Sequence, residues 1–135
     1  MDWKECIKVK IAKEAKEDKN LIASTREIAE IKIKSSNSLP EDLHIGKITL
    51  LYDALRGYLE AVALEQGYKI YNHECFTAFL KEILNRPLEA EKFDKLRRIR
   101  NGINYYGRNV SSDEAKQIIE DMNFLIEKFR KGKIE

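Results

Sequence analysis

The sequence predicts an all-α protein, an up-and-down helical bundle of four main helices with short extra helices. Apolar residues recur at spacings of three and four along most of the chain, and no stretch shows the sustained alternation of a strand. Only two prolines and six glycines interrupt the 135 residues. The connections between periodic segments are short, which favours antiparallel neighbours. We therefore expect a single domain over residues 1–135.

Composition limits the classes of function. The 25 basic and 23 acidic residues nearly cancel to a net charge of +2, so any anion site must be local. No apolar run approaches the ~20 residues of a membrane span, and "MDWKECIKVK" does not resemble a signal peptide. Cys6 and Cys75 lack CxxC spacing, which predicts two unpaired buried thiols in a reducing compartment. The expected location is the cytoplasm.

The first two helices are predicted over residues 3–15 and 19–35. One bent helix is an alternative, because "KEDKN" contains no strong stop signal. The residues expected to face inward are Ile7, Ile11 and Ala15 in the first helix, and Leu21, Ile22, Thr25, Ile28, Ala29 and Ile33 in the second.

The third helix is predicted over residues 40–66 and has the clearest apolar stripe. Ser38 with Glu41 forms a possible capping box, and Pro40 suits a first turn. Gly67 is placed to end the helix. The stripe consists of Ile48, Leu51, Tyr52, Leu55, Tyr58, Leu59 and Val62.

Capping residues also delimit the last three helices. Asn72 is predicted to cap a short fourth helix, Pro87 to begin the fifth, Gly107 to end it, and Ser111 with Glu114 to cap the sixth. The tail "RKGKIE" is expected to fray. The predicted inward residues are Phe76, Phe79, Leu80 and Ile83, then Phe93, Leu96, Ile99, Ile103 and Tyr106, then Ala115, Ile118, Ile119, Met122, Leu125, Ile126 and Phe129.

The segment "RRIRNGINYYG", residues 97–107, departs from a simple solvated helix. Charges usually line an exposed face, and this interpretation suits Lys95, Arg97 and Arg98. Arg100, however, falls beside the buried stripe, and Asn101 follows it in what should be helix interior. Five basic residues and no acidic one lie between residues 95 and 108, which predicts a local anion site. Its candidate ligand-binding residues are Arg97, Arg100, Asn101, Asn104, Tyr105 and Tyr106.

These residues resemble the signature of the HEPN family, the "higher eukaryotes and prokaryotes nucleotide-binding" helical domains. Arg100 and Asn101 match its Arg-Asn pair, and Tyr105 stands where the family has His. The segment "LLYDALRGYLEAVALEQGYKIYNHECF" is similar to the family's central helix and following Gly-Tyr turn. The part of the chain that is compatible with the family spans residues 18–129.

The resemblance implies a function but also a departure from it. Active HEPN proteins are metal-independent ribonucleases that work as dimers, in which the Arg holds phosphate and the His transfers a proton. Other members are inactive, bind nucleotides or partners, and often pair with a minimal nucleotidyltransferase. Because tyrosine titrates near ~10, Tyr105 is a poor substitute for imidazole. The expectation is a nucleotide- or RNA-binding homodimer in a toxin–antitoxin-like context, not an enzyme, with no cofactor or metal.

Two alternatives stay open: a metal-independent ribonuclease that uses Arg100 with Tyr105 or His73, and a structural interaction domain without a ligand. His44 is expected at the surface, and His73 is more simply a capping or packing residue. Tyr52 and Asp53 on the third helix are expected to support the motif, Asp53 either as a solvated charge or as the carboxylate that orients Arg100. Gly57 suggests a close crossing with another helix or a second subunit.

Overall fold

The computed structural model describes residues 1–131 as a helical bundle, which confirms the predicted all-α class. Four long helices form the bundle, and two short helices, one π-helical turn and two short strands complete it. In chain order the elements are α1 (Trp3–Lys8), β1 (Ala12–Glu14), α2 (Lys19–Ser38), α3 (His44–Glu65), β2 (Tyr68–Ile70), α4 (His73–Ala78), the π-helical turn (Phe79–Ile83), α5 (Pro87–Tyr106) and α6 (Ser112–Arg130). The tail that was predicted to fray lies largely outside the described residues.

Helix α3 is the centre of the bundle, and every residue of its predicted apolar stripe is buried. It runs antiparallel to α2, as the contacts at the two ends of the pair show. Ser36 near the end of α2 donates from Oγ to the carbonyl of Lys47 near the start of α3 (3.2 Å). At the opposite end, Arg26 pairs with Glu65.

Helix α6 lies parallel to α3, which completes the up-and-down order. Nε2 of His44, the first residue of α3, lies 2.7 Å from the carbonyl oxygen of Val110 just before α6. Arg26, beside the end of α3, donates to the carbonyl of Phe129 near the end of α6 (3.1 Å). His44 is therefore half-buried and engaged with the backbone, and the prediction that it lies at the surface is wrong.

The N-terminal segment differs from its prediction. Helix α1 ends at Lys8, and Lys10 adopts a positive φ of 63°. The chain then forms β1, which pairs antiparallel with β2 in a two-stranded sheet, with Ala12 opposite Ile70. The helix predicted to residue 15 and the alternative of a single bent helix are both wrong. Pairing with a segment more than 50 residues away is a tertiary effect that local periodicity does not report.

The two cysteines are bonded to each other. Cys6 in α1 and Cys75 in α4, 69 residues apart, form a disulfide, and both are completely buried. The predicted burial is confirmed, but the predicted unpaired thiols are wrong. Only the packing of α1 against α4 brings these residues together, and spacing along the chain does not show it.

Most predicted helix ends are confirmed. Gly67 and Gly107 have positive φ values of 89° and 64°, which suit glycine at a helix C-terminus. The side chains of Asn72 and Ser111 accept backbone hydrogen bonds at the starts of α4 and α6. Pro87 occupies the first turn of α5.

The predicted start of the third helix is wrong. Ser38 ends α2, and its hydroxyl donates to the carbonyl of Ser35 (2.7 Å) instead of capping a new helix. Helix α3 begins only at His44, so Pro40 and Glu41 belong to the connection. Serine bonds its own helix as readily as it caps the next one, which leaves the sequence signal ambiguous.

Four residues predicted to face inward are exposed: Ile7, Leu21, Ile28 and Tyr106, the last at 84%. Helix α2 packs on α3 through its narrower row of Ile22, Ala29 and Ile33. No helix within residues 1–131 combines the length and apolar character needed to cross a membrane.

Candidate functional site

Arg100 lies between two tyrosine rings. Its Cζ is 5.4 Å from the ring centroid of Tyr52, which projects from α3, and 5.7 Å from that of Tyr105 at the end of α5. Its NH1 also donates to the Tyr105 hydroxyl at 3.4 Å. Aromatic faces attract a guanidinium, so the two rings hold the side chain in place without neutralising its charge.

The charge and one donor of Arg100 are uncompensated. Within residues 1–131 no carboxylate pairs with this guanidinium, and its Nε is buried without a hydrogen-bond partner. A buried donor without a partner costs about 1–3 kcal/mol, and more when it is charged. A bound anion would supply what the site lacks, which is a negative charge beside the guanidinium and a hydrogen-bond acceptor.

The neighbouring arginines are already paired through Asp94. Arg97 donates to Asp94 Oδ1 from Nε (3.0 Å) and NH2 (2.8 Å), and NH2 of Arg98 lies 3.0 Å from Oδ2. Arg98 is well exposed, as predicted, whereas Arg97 is largely buried and does not belong to a solvated face. Sequence reasoning missed Asp94, although its spacing of three and four to the arginines was a usable signal.

The structure brings His73 into the same cluster. Its Nδ1 lies 2.7 Å from the Tyr52 hydroxyl, and the two rings are 5.5 Å apart. Burial, followed by the positive charges of Arg56 and Arg100, lowers the pKa of His73 to about 4. The imidazole is therefore neutral at neutral pH and is a weak base.

Tyr52 is the buried link between Arg100 and His73. Burial raises the pKa of its hydroxyl well above the ordinary value, against the opposing effect of the Arg100 charge. The hydroxyl therefore stays protonated and is able to donate to Nδ1 of His73. When Nδ1 accepts this hydrogen bond, the proton of the neutral imidazole is on Nε2.

Asp53 does not orient Arg100, contrary to one prediction. Its Oδ2 lies 4.0 Å from Nζ of Lys32 and so faces α2. It follows Tyr52 on α3, and one residue turns the side chain by roughly 100° around a helix. In the structure Asp53 is half-buried. The other interpretation, a solvated charge, is therefore closer to the structure than the pairing with Arg100.

The remaining predicted ligand-binding residues lie on the last turns of α5. Asn101 is half-buried, whereas Asn104, Tyr105 and Tyr106 are exposed. Gly102 has a structural explanation, because a Cβ there would lie 3.1 Å from Cδ of Arg108, whose side chain packs over the glycine.

A large groove lies elsewhere. It has a volume of about 1340 Å³, lies between α5 and α6, and includes Leu88 and Phe124 but neither Arg100 nor His73. Three of its five cations, Lys92, Arg98 and Arg108, pair with carboxylates, whereas Lys81 and Lys95 have no such partner within residues 1–131. The buried Nε of Arg100, which has no hydrogen-bond partner, distinguishes the Arg100 cluster from the groove and makes the cluster the candidate anion site. Among residues 1–131 no three His, Cys, Asp or Glu side chains gather in an arrangement suited to a metal ion.

Comparison of the chain with protein-family models, with curated proteins and with solved structures gave no match. The functional argument therefore rests on the geometry around Arg100. That geometry joins α3, α4 and α5 through Tyr52, His73 and Arg100.

Proposed function

We propose that this chain is a HEPN-like helical protein that binds the phosphate of a nucleotide or RNA at Arg100 and does not cleave RNA efficiently. The observation that carries the proposal is the uncompensated guanidinium of Arg100 with its unpartnered Nε. A guanidinium keeps its charge and forks two hydrogen bonds to phosphate oxygens. Asn101, Asn104 and the exposed ring of Tyr105 stand beside it for further contacts with the ligand.

The resemblance supplies the remaining parts of the proposal. The chain acts as a homodimer, and its partner is a minimal nucleotidyltransferase in a toxin–antitoxin-like context. Light scattering tests the dimer, for which we expect twice the 15.8 kDa chain mass at micromolar concentration. Co-purification from the source cells tests the partner.

The lack of efficient cleavage follows from the groups around Arg100. Tyr105 is a phenol, and the neighbouring imidazole, His73, has its pKa lowered to about 4. General acid–base catalysis is most effective when the group titrates near the working pH. His73 does not meet that condition in the free protein.

A metal-independent ribonuclease is the second candidate, and one contact favours it. His73 and Arg100 both contact Tyr52, so an imidazole lies within the same cluster as the phosphate-binding guanidinium. Bound phosphate would offset the arginine charges that depress the His73 pKa and would make the imidazole a stronger base.

The deciding experiment compares Arg100→Ala with Arg98→Ala. Arg98 lies on the same helix but is 74% exposed and paired with Asp94, so it is a matched control. We expect Arg100→Ala to weaken binding of a nucleotide or short RNA about tenfold or more, the usual effect of losing a charged hydrogen bond. Arg98→Ala should change affinity little. Equal binding by both variants and the natural chain would favour the structural interaction domain.

Two further measurements separate the candidates. Mass spectrometry of the purified protein shows whether a nucleotide co-purifies, as the binding proposal expects. A cleavage assay on single-stranded RNA, with and without EDTA, tests the ribonuclease. Robust cleavage that persists in EDTA and disappears in His73→Ala would replace the first candidate with the second.

A further inference from the structure

The two-stranded sheet presents two lysines and a tyrosine on its outer face. Lys13 and Lys69 are directly opposite each other in the β1–β2 register. Ala12 and Ile70, the next pair along, are buried against the core, so the lysine pair points the other way. Nζ of Lys13 lies 5.6 Å, and that of Lys69 5.9 Å, from the ring centroid of Tyr71.

This arrangement is unfavourable for the isolated chain. Like charges directly opposite across two strands repel each other. Glu60 offsets the charge of Lys69, whereas no carboxylate within residues 1–131 pairs with Lys13. Tyr71 keeps 61% of its surface exposed, although a tyrosine of this size would gain from burial. Two ammonium groups around an exposed aromatic ring are the groups that contact the backbone and bases of a single nucleic-acid strand.

A chain of ion pairs joins this face to the Arg100 cluster. Lys69 pairs with Glu60, and the other oxygen of Glu60 accepts a hydrogen bond from NH1 of Arg56 at 3.0 Å. The charge of Arg56 in turn acts on His73 and helps to lower its pKa. Arg56 and Lys69, bridged by Glu60, therefore connect α3 with the sheet, and the charge of Arg56 also acts on His73 in the Arg100 cluster.

We infer that the outer face of the sheet is a second subsite for a single-stranded nucleic acid whose phosphate is held at Arg100. Lys13 and Lys69 contact backbone phosphates there, and Tyr71 stacks on a base. This inference rests on the proposed function and makes the ligand an extended strand, not a single nucleotide.

The test measures affinity against strand length by fluorescence anisotropy, with labelled single-stranded RNA of about two to about twelve nucleotides. We expect Tyr71→Ala to weaken binding of the longer strands about tenfold and to leave the shortest unaffected. Lys13→Gln should reduce the slope of log affinity against log salt by about 0.7, the value for one phosphate contact in a single strand.

Phe124→Ala is the matched control. Phe124 is also an exposed aromatic residue with two lysines over its ring, Lys92 at 4.7 Å and Lys128 at 5.3 Å, but it lies on α6. An equal loss in Phe124→Ala and Tyr71→Ala would overturn the inference. Equal binding of a polyglutamate peptide of the same charge would also overturn it, because stacking would then contribute nothing.

The outcomes also separate the subsite from the proposed function. Weaker binding of short and long strands by Arg100→Ala, with weaker binding of only the long strands by Tyr71→Ala, supports both the subsite and the proposed function. Unchanged binding in Tyr71→Ala overturns the subsite and leaves the proposed function intact. Unchanged binding in Arg100→Ala, with a loss in Tyr71→Ala, overturns the proposed function and with it the extended path.

Discussion

The hydroxyl of Tyr52 lies 2.7 Å from Nδ1 of His73, although the two residues belong to different helices. Tyr52 is completely buried, so its position is fixed by the core and fixes the imidazole in turn. The same ring stacks on Phe93 at 5.9 Å and also contacts the guanidinium of Arg100. Core packing therefore determines the distance between the imidazole and the proposed phosphate-binding group.

The first prediction concerns pH. The pKa of His73 falls from the ordinary 6.5 to about 4 on folding, mainly through burial. Between these values the unfolded chain binds more protons than the native protein, so the free energy of unfolding should decrease as pH falls from 6.5 towards 4. In His73→Gln this part of the pH dependence should disappear, as measured by urea unfolding at several pH values.

Nuclear magnetic resonance titration of the imidazole provides the direct check. His44 is the other histidine of the chain, and the His44→Asn variant assigns the two signals. An apparent pKa of His73 at or above 6.5 in the folded protein would contradict the prediction.

The second prediction concerns the disulfide. Cys6 and Cys75 close a loop with a separation of 69 residues, and a cross-link of that length restricts the unfolded chain strongly. The double variant Cys6→Ala/Cys75→Ala should lose about 4 kcal/mol of unfolding free energy. Urea denaturation measures the loss. A reducing agent should destabilise the natural chain and leave the double variant unchanged, and equal stability of the two proteins would show that the link contributes nothing.

What the sequence could predict depended on whether the signal was local. The apolar stripe of α3 and the caps at Asn72 and Ser111 follow from neighbouring residues, and the structure confirms them. The pairing of β1 with β2 and the bond between Cys6 and Cys75 depend on segments far apart in the chain. Helical periodicity carries no information about such contacts.

The same distinction applies to the candidate site. The position of Arg100 beside the buried stripe followed from its phase on the helix, and the structure places it against the buried ring of Tyr52. The sequence left open whether Asp53 is a solvated charge or the carboxylate that orients Arg100, and in the structure Asp53 pairs with Lys32. The contact of His73 with Tyr52 required the packing of α4 on α3, which sequence could offer only as an alternative.

The third prediction concerns Gly57, which was expected at a close helix crossing. A Cβ at this position would lie 3.3 Å from Cβ of Ala29, so α2 and α3 cross closely within one chain. Gly57→Leu should destabilise the protein by about 3 kcal/mol, because overpacking a filled interface forces the helices apart. Gly57→Ala should change stability far less, since the gain in helix propensity offsets a mild clash. Thermal unfolding of the two variants checks the difference, and a Gly57→Leu variant as stable as the natural chain would place the crossing elsewhere.

The last prediction concerns catalysis at Tyr105. The natural chain should show negligible metal-independent RNA cleavage, because position 105 holds a phenol and burial lowers the pKa of His73, the imidazole of the Arg100 cluster, to about 4. Tyr105→His places an imidazole where the phenol now accepts a hydrogen bond from Arg100 at 3.4 Å. We expect weak but detectable cleavage in this variant, since a single residue does not rebuild a preorganised site.

Tyr106→His is the matched control, because it adds the same imidazole one residue further along, at a side chain that is 84% exposed. Cleavage by Tyr105→His that Tyr106→His lacks, and that Arg100→Ala removes, would show that the guanidinium and the new imidazole act on one phosphate. Cleavage by both histidine variants would mean that position relative to Arg100 does not matter, which would contradict the prediction. Robust cleavage by the natural chain, lost in His73→Ala, would assign the proton transfer to the imidazole that Tyr52 already holds.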